Sequence, residues 1–391
     1  MALQPASGAK DLNPKQVEAN QLLCKRLARV YKLWGYEEVS PPRVERLATL
    51  KAGGAIESED IVKLVADEPL GLRPEMTASI ARAACTRLNQ RPRPLRLCAT
   101  GTVFECRESA EIGNSIEENL QSGVELFGLK DIAAEMELLA LLLDSMQKLG
   151  FDRQHRPSLL IGHTSLMELI LSKLNCLDQI RIRNALLNFD RLTLDNMSIE
   201  KQTRDKLIEI QDCRGYPTDT IIELENQLGK NDVLENLKRL FTMIEPIASN
   251  YGIGLQLDPT FQPHYQLYTG IVFQLICEGS SSPVVIARGG RYDDLVEHFG
   301  ASGDDCAGLG FSFAIDKIRE LLIDSIKNNE SNQKIMIAYS KNSRLEDALK
   351  SQSYWHEKGF IAQVELKPFD KKEDADRLSM ERGFNKLEWL N

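Results

Sequence analysis

Apolar residues recur at helical spacing in two stretches of the chain that have clear start and stop signals. The first begins at Asn13 and Pro14, a capping side chain followed by a residue with preset φ, and it ends at Gly35. The second runs from Asp131, a good N-cap, to Gly150, a typical stop. Each stretch therefore predicts a helix that packs an apolar face against a core.

Two further helical regions differ from these in character. Residues from about 176 to 250 are rich in Ile, Leu, Lys, Glu and Asn at helical spacing, with a break at Gly215 and Pro217. We interpret this region as a helical insertion. A shorter helix is predicted to start at Thr77, after an extended segment enforced by Pro74.

Residues 98–128 alternate between polar and apolar positions, which predicts two strands joined by a loop. We place the strands at about 99–105 and 120–127. Gln121 and Glu125 lie on one face of the second strand, because successive side chains alternate between faces. If this face is buried, its polar groups need partners such as a small polar ligand; a face in contact with water would show the same pattern.

Other short segments predict the remaining strands and the domain division. These segments are 35–45, where Pro41 and Pro42 end a strand, 157–162, 264–274, 285–295 and 308–320, in which a helix follows the strand. After a polar linker at 327–333, a strand at 334–339, a helix at 344–358 and a strand at 361–366 indicate a small α/β piece. We predict two domains, a core at 1–326 interrupted by the insertion at 176–250, and a second at 334–391.

Composition limits the classes of function. The chain has 391 residues, 42% of them hydrophobic, and a formal net charge of −9, which lowers the expectation of a broad nucleic-acid-binding face. Its eight cysteines show neither a CxxC motif nor zinc-ligand spacing, as in a reduced cytoplasmic protein. The first residues, MALQPASGAK, have no signal-peptide core, and no run of 18 apolar residues predicts a membrane span. We expect a cytoplasmic protein.

Several residues stand where polar side chains could enter a cleft. Glu75 and Thr77 are at the turn before a helix, although local helix capping would also explain them. Tyr268 and Tyr292 flank strand segments with neighbouring glycines, where ordinary packing is the alternative. The sequence has no phosphate-binding loop, nucleophile elbow or metal-ligand cluster, so no catalytic residue, cofactor or metal is predicted.

The order of these segments resembles the histidyl-tRNA synthetase family, a class II aminoacyl-tRNA synthetase. Residues 98–128 resemble motif 2, 71–83 the Leu-Arg-Pro-Glu segment, 35–45 motif 1 and 308–320 motif 3, while 264–274 and 285–295 resemble the two histidine-specific signatures. The resemblance implies an α+β fold, with an antiparallel sheet flanked by helices, and a dimer through motif 1. It also implies that histidine is bound by Glu75, Thr77, Gln121, Glu125, Tyr268 and Tyr292.

The chain departs from this family where ATP is activated. The family has arginines at the positions of Glu105, Pro263 and Lys317, and the resemblance assigns them to the phosphates of ATP and to the substrate carboxylate. The loop that is basic in the family is acidic here, with Glu108, Glu111, Glu117 and Glu118. We hypothesise that Arg107 pairs with Glu105 instead of contacting a phosphate. The small second domain is also short for an anticodon-binding domain, so no tRNA partner is expected.

A site that keeps its histidine-binding residues and loses its ATP-activating ones resembles a known group of synthetase relatives, the regulatory subunits of ATP phosphoribosyltransferase. This resemblance implies a non-catalytic subunit that activates a short catalytic subunit and carries histidine feedback in the first step of histidine biosynthesis. It implies the short catalytic subunit and histidine as partners, with self-association as a dimer or higher oligomer. Two alternatives stay open: an active histidyl-tRNA synthetase with an unusual site, and a histidine sensor with another partner.

Overall fold

The computed structural model describes residues 5–54, 56, 59–109, 113–172, 174, 178–263, 266–322 and 334–391. The chain divides into two units, Met1–Ile326 and Lys327–Asn391. The predicted linker at 327–333 lies outside the described residues, as does Glu111 of the predicted acidic loop. Within the described ranges, no helix is both long enough and apolar enough to cross a membrane.

The first unit contains the strands β1 (Glu37–Glu38), β2 (Val44–Arg46), β3 (Leu70–Leu72), β4 (Leu95–Ser109), β5 (Gly113–Phe127), β6 (Ser158–His163), β7 (Gly254–Leu257), β8 (Ile271–Glu278), β9 (Pro283–Arg291) and β10 (Gly308–Ala314). Eight of them form one sheet in the order β1-β4-β5-β10-β9-β8-β6-β7. Strands β2 and β3 pair separately as a short antiparallel ribbon. The pairs β1–β4 and β6–β7 at the two edges are parallel, and the other pairs are antiparallel. The predicted antiparallel sheet is confirmed, with a parallel strand added at each edge.

Helices flank this sheet, as predicted. They are α1 (Pro14–Leu33), α2 (Leu47–Lys51), α3 (Thr77–Cys85), α4 (Ile132–Leu149), α5 (Thr164–Ser172), α6 (Gln179–Leu187), α7 (Arg191–Asn196), α8 (Lys201–Asp212), α9 (Pro217–Leu228), α10 (Asp232–Tyr251), α11 (Asp293–His298) and α12 (Ile315–Leu322). The side chain of Asn13 caps α1, because its Oδ1 accepts a hydrogen bond from the backbone N–H of Gln16 at 3.0 Å. Asp131 caps α4 in the same way, and Gly150 ends it in the left-handed conformation.

The two faces of the sheet pack against different sets of helices. Val124 and Leu126 of β5 are buried in a large apolar core together with α1, α4 and α12. The helices from α6 to α10 contribute to the same core, so the predicted insertion is packed into the first unit. The opposite face carries α3 and α11, which pack against Leu97 of β4. Gln121 and Glu125 belong to this second face, because they alternate with the core residues of β5.

The central hairpin is longer than the sequence predicts. Strands β4 and β5 pair continuously from Leu95 opposite Phe127 to Ser109 opposite Gly113. Most of the predicted loop is therefore strand. Apolar alternation could not reveal this extension, because its residues are mainly polar and it is held by the backbone ladder.

The second unit is a three-stranded parallel sheet in the order β12-β11-β13. Its elements are β11 (Lys334–Tyr339), α13 (Leu345–Glu357), β12 (Ile361–Val364), α14 (Lys372–Glu381) and β13 (Lys386–Leu390). Ile335 and Ile337 are buried on one face of β11, and Met336 and Ala338 on the other, as expected for a parallel sheet covered on both sides. The sequence predicted the first three elements and missed α14 and β13.

Core packing on α4 leads to a stability prediction. Leu142 is fully buried, so Leu142→Ala should lower the free energy of unfolding of the first unit by about 2–5 kcal/mol. Leu192 of α7 is 73% exposed, and Leu192→Ala should change it by less than about 0.5 kcal/mol. Urea unfolding followed by circular dichroism measures both, and equal losses in the two variants would contradict this packing.

Candidate functional site

A cavity of about 390 Å³ opens on the sheet face that carries α3 and α11. Five of the six residues predicted to bind histidine line it: Glu75, Thr77, Gln121, Tyr268 and Tyr292. The sixth, Glu125, lies directly behind Thr77 and Tyr292 and is 4% exposed. The fold thus brings together residues from four separate stretches of the sequence.

Glu125 connects three of these stretches. One carboxylate oxygen accepts a hydrogen bond from the Thr77 hydroxyl at 2.7 Å. The other accepts a hydrogen bond from the Tyr292 hydroxyl. Burial raises the pKa of Glu125 to about 8, although both hydrogen bonds favour the ionised form and oppose this shift. The carboxyl group of Glu125 is therefore harder to ionise than that of an exposed glutamate.

Glu75 has both of the roles that the sequence left open. Its carboxylate accepts the backbone N–H groups of Thr77 and Ala78, the latter at 3.0 Å, and so caps the first turn of α3. It also lines the cavity. Burial raises the pKa of Glu75, and the capping bonds partly offset this effect. The preceding segment is fixed by Arg73, whose guanidinium donates to the carbonyl oxygens of Thr102 at 3.0 Å and Pro41 at 2.6 Å.

Two glycines let the site side chains lie against the sheet. A Cβ at Gly310 would collide with the carboxylate of Glu125. A Cβ at Gly290 would lie 2.5 Å from the ring of Tyr268. Gly290 of β9 and Gly310 of β10 are thus needed for close approach, as the sequence predicted for the Gly-Gly pair of β9.

Some polar groups in the cavity have no partner within the described part of the chain. Gln121 and the Tyr268 hydroxyl form no hydrogen bond there, whereas Thr77 and Tyr292 are already bonded to Glu125. Burial raises the pKa of Tyr268, so its hydroxyl stays protonated and can donate. The cavity can therefore offer an amide and a hydroxyl to a ligand beside carboxyl groups, among them that of Glu75.

The charged end of the central hairpin differs from a phosphate-binding surface. Glu105 and Glu117 are opposite each other in the ladder, and the Arg107 guanidinium contacts both carboxylates at 3.3 Å. The hypothesis that Arg107 pairs with Glu105 is confirmed. These groups are partly exposed, so each pair is worth at most about 1 kcal/mol, but together they occupy the guanidinium.

A second cavity of about 590 Å³ adjoins the first. Lys317 of α12 lines it, and burial with the nearby charge of Arg288 lowers the lysine's pKa. Pro263 is in a turn and lines neither cavity. Among the described residues, no group of three His, Cys, Asp or Glu side chains could hold a metal ion.

The sequence analysis missed two residues on the cavity face, Arg288 of β9 and Ser312 of β10. Both line the first and the second cavity. They are opposite each other in the β9–β10 ladder. Arg288 could have been found as a charged residue within a mainly apolar and glycine-rich strand, at a position that faces the cavity.

Comparison with known proteins identifies the family of the chain. The sequence matches the family described as histidyl-tRNA synthetase over residues 8–318. A protein from Prochlorococcus marinus named ATP phosphoribosyltransferase regulatory subunit is 58% identical over 391 residues, with 100% of both chains covered.

Solved structures support the fold. A Bacillus halodurans structure titled ATP phosphoribosyltransferase regulatory subunit/histidyl-tRNA synthetase has a TM-score of 0.82 at 24% identity, covering 100% of this chain and 98% of that one. Histidyl-tRNA synthetase from a Nostoc species has a TM-score of 0.78 at 18% identity, covering 98% and 90%. The sheet and its flanking helices therefore define a class II synthetase fold. The chain belongs to the histidyl-tRNA synthetase family, within the group whose members are named ATP phosphoribosyltransferase regulatory subunit.

The raised pKa of Glu125 leads to a prediction about pH. The folded protein holds a proton on Glu125 up to about pH 8, whereas a carboxyl in the unfolded chain loses it near its ordinary pKa of about 4.3. The stability of the protein should therefore fall as pH rises through this window. Glu125→Gln keeps an acceptor for Thr77 but does not titrate, so its melting temperature should fall less.

The exposed residue Glu168 of α5 provides a matched control. Glu168→Gln should keep the pH dependence of the parent protein. The account of Glu125 fails if Glu125→Gln loses stability between about pH 5 and pH 8 as steeply as the parent and the control do.

Proposed function

We propose that this chain is a non-catalytic regulatory subunit of ATP phosphoribosyltransferase. It activates a short catalytic subunit and carries inhibition by histidine, the end product, to the first step of histidine biosynthesis. The proposal is supported by full-length relatives of that name and by a cavity that combines the predicted histidine-binding residues. The observation that carries it is that Arg107 is held by two glutamates beside a cavity of intact polar residues.

The cavity suits the head group of a free amino acid. Glu75 and Glu125 provide two carboxyl groups for an ammonium ion. An ammonium beside Glu125 favours the ionised carboxylate and so lowers its pKa from about 8. In the complex, Glu125 is then an ionised carboxylate paired with the ammonium group of the ligand. Gln121 and Tyr268 are free to contact the rest of the ligand.

The same site is poorly suited to activating that amino acid with ATP. A cation about 4 Å from a phosphate contributes roughly 4 kcal/mol at an effective dielectric constant near 20, and reversing its sign changes this by about twice as much. Glu105 stands where the family has such an arginine. Even half of that change removes about three powers of ten in rate. Arg107 does not compensate, because Glu105 and Glu117 hold it.

Regulation then follows from binding linkage. Histidine must bind the active and inhibited states of the assembled enzyme with different affinities, and such coupling is typically about 1–3 kcal/mol. The six residues Glu75, Thr77, Gln121, Glu125, Tyr268 and Tyr292 bind the effector. The chain itself contributes no catalytic residue, and histidine acts by shifting the equilibrium between states.

The remaining features of the proposal concern assembly and location. The chain works in the cytoplasm, in keeping with its scattered cysteines. It associates with itself as a dimer or higher oligomer through residues 35–45, and it takes no tRNA and no membrane as partner. The residues 334–391 form a second domain, and 176–250 an insertion in the core domain.

An activity assay tests this function. A short catalytic subunit from the same organism should form little phosphoribosyl-ATP alone, and substantially more when this chain is added. Histidine should then reduce the rate of the mixture. An active synthetase would instead support histidine-dependent exchange of pyrophosphate with ATP, and a sensor with another partner would bind histidine without changing this rate. Failure of the chain to activate the catalytic subunit would overturn the proposal.

Feedback should depend on the charge at Glu125. Glu125→Gln replaces a charged partner of the ammonium with a neutral one, and hydrogen bonds to charged groups contribute about 1.5–3 kcal/mol. The histidine concentration for half-inhibition should rise roughly tenfold or more, each variant being referred to its own activity without histidine. Glu168→Gln is the matched control and should keep the parent value. An unchanged half-inhibition concentration in Glu125→Gln would contradict the assignment.

A further inference from the structure

Arg288 is a cation on the wall of the first cavity. It is exposed, and its guanidinium forms no hydrogen bond or ion pair with the described part of the chain. Guanidinium groups bind carboxylates through a planar fork of donors. The carboxyl groups of Asp60, Glu75 and Glu105 line the same cavity, so a guanidinium on its wall gives the cavity acidic and basic groups together.

The sheet register places Arg288 relative to the carboxyl groups. Glu125, Gly310 and Gly290 are aligned across β5, β10 and β9. Gly123, Ser312 and Arg288 form the next row on the same face, two residues further along the three strands. The Cα atoms of Glu125 and Arg288 are thus two strand spacings and one two-residue step apart, roughly 12 Å. Between two long side chains on one face, this leaves room for one small zwitterion.

Two other cations are near the site, and neither is equally available. Arg107 lines both cavities but contacts Glu105 and Glu117 at 3.3 Å. Lys317 is exposed and lines only the second cavity. Pro263, at the position where the family has an arginine for the carboxylate, offers no charge and no donor. Arg288 is therefore the cation best placed to complete the first cavity.

We propose that Arg288 binds the α-carboxylate of the amino-acid effector while Glu75 and Glu125 hold its ammonium group. This assignment rests on the proposed histidine-binding function. It gives the site a means of distinguishing the amino acid from the amine or amino alcohol of the same side chain. The carboxylate is bound without the arginine of the first signature, so the effector can be recognised although that signature is altered.

The test compares two ligands on three proteins. Calorimetry on the full-length chain in complex with its catalytic subunit gives the affinities for histidine and for histamine, which lacks the carboxylate. The parent complex should prefer histidine about ten- to hundredfold, the range expected for a charged hydrogen bond. Arg288→Gln should lose most of this preference by weakening histidine binding while leaving histamine binding unchanged. Arg288→Lys, which keeps the charge but lacks the fork, should lose part of it.

The control is Lys317→Gln, which should keep the parent preference. If the parent complex binds no histidine, the proposed function itself fails. If it binds histidine and Arg288→Gln keeps the full preference over histamine, only the assignment of Arg288 is overturned. A loss of preference in Lys317→Gln but not in Arg288→Gln would move the carboxylate to the second cavity and would also overturn it.

Discussion

The buried carboxyl group of Glu125 is the interaction on which the candidate site depends. It joins α3, through Thr77, to Tyr292 at the start of α11, across the middle strand of the sheet. Its position requires a strand with no side chain at Gly310, since any Cβ there would occupy its space. A buried carboxyl without a full counter-charge is destabilising, and its pKa is raised to about 8 as a result. A cation beside this carboxyl group would stabilise its ionised form.

The charged end of the central hairpin lies on the wall of the same cavity, but it forms its own ion pairs. Glu105, Arg107 and Glu117 form a partly exposed cluster of ion pairs, whereas Glu125 and Glu75 have no cation within hydrogen-bonding distance among the described residues. A protein that binds an amino acid as a signal has to release it unchanged. This requirement is met by a site that keeps the groups for recognising an amino acid and lacks the cations that polarise a phosphate.

Much of the fold could be predicted from local signals. The caps at Asn13 and Asp131 and the stop at Gly150 are short-range effects of side chain on backbone, and they defined α1 and α4 correctly. The polar extension of the central hairpin could not be predicted from alternation, since its pairing comes from the partner strand. The six predicted histidine-binding residues were found through a resemblance to a known family. Spacing alone could not bring Glu75 and Tyr292 together, because their proximity depends on the order of the strands. Arg288 could not be predicted from the sequence, because its place on the cavity face depends on the pairing of β9 with β10, which sets it opposite Ser312.

The central claim is that the chain binds histidine but does not activate it. The most direct measurement takes one preparation of the full-length chain with its catalytic subunit and determines both histidine binding by equilibrium dialysis and histidine-dependent exchange of pyrophosphate with ATP. We predict saturable binding with no exchange above the level without histidine. Exchange that rises with histidine concentration would contradict the claim and would indicate an active synthetase.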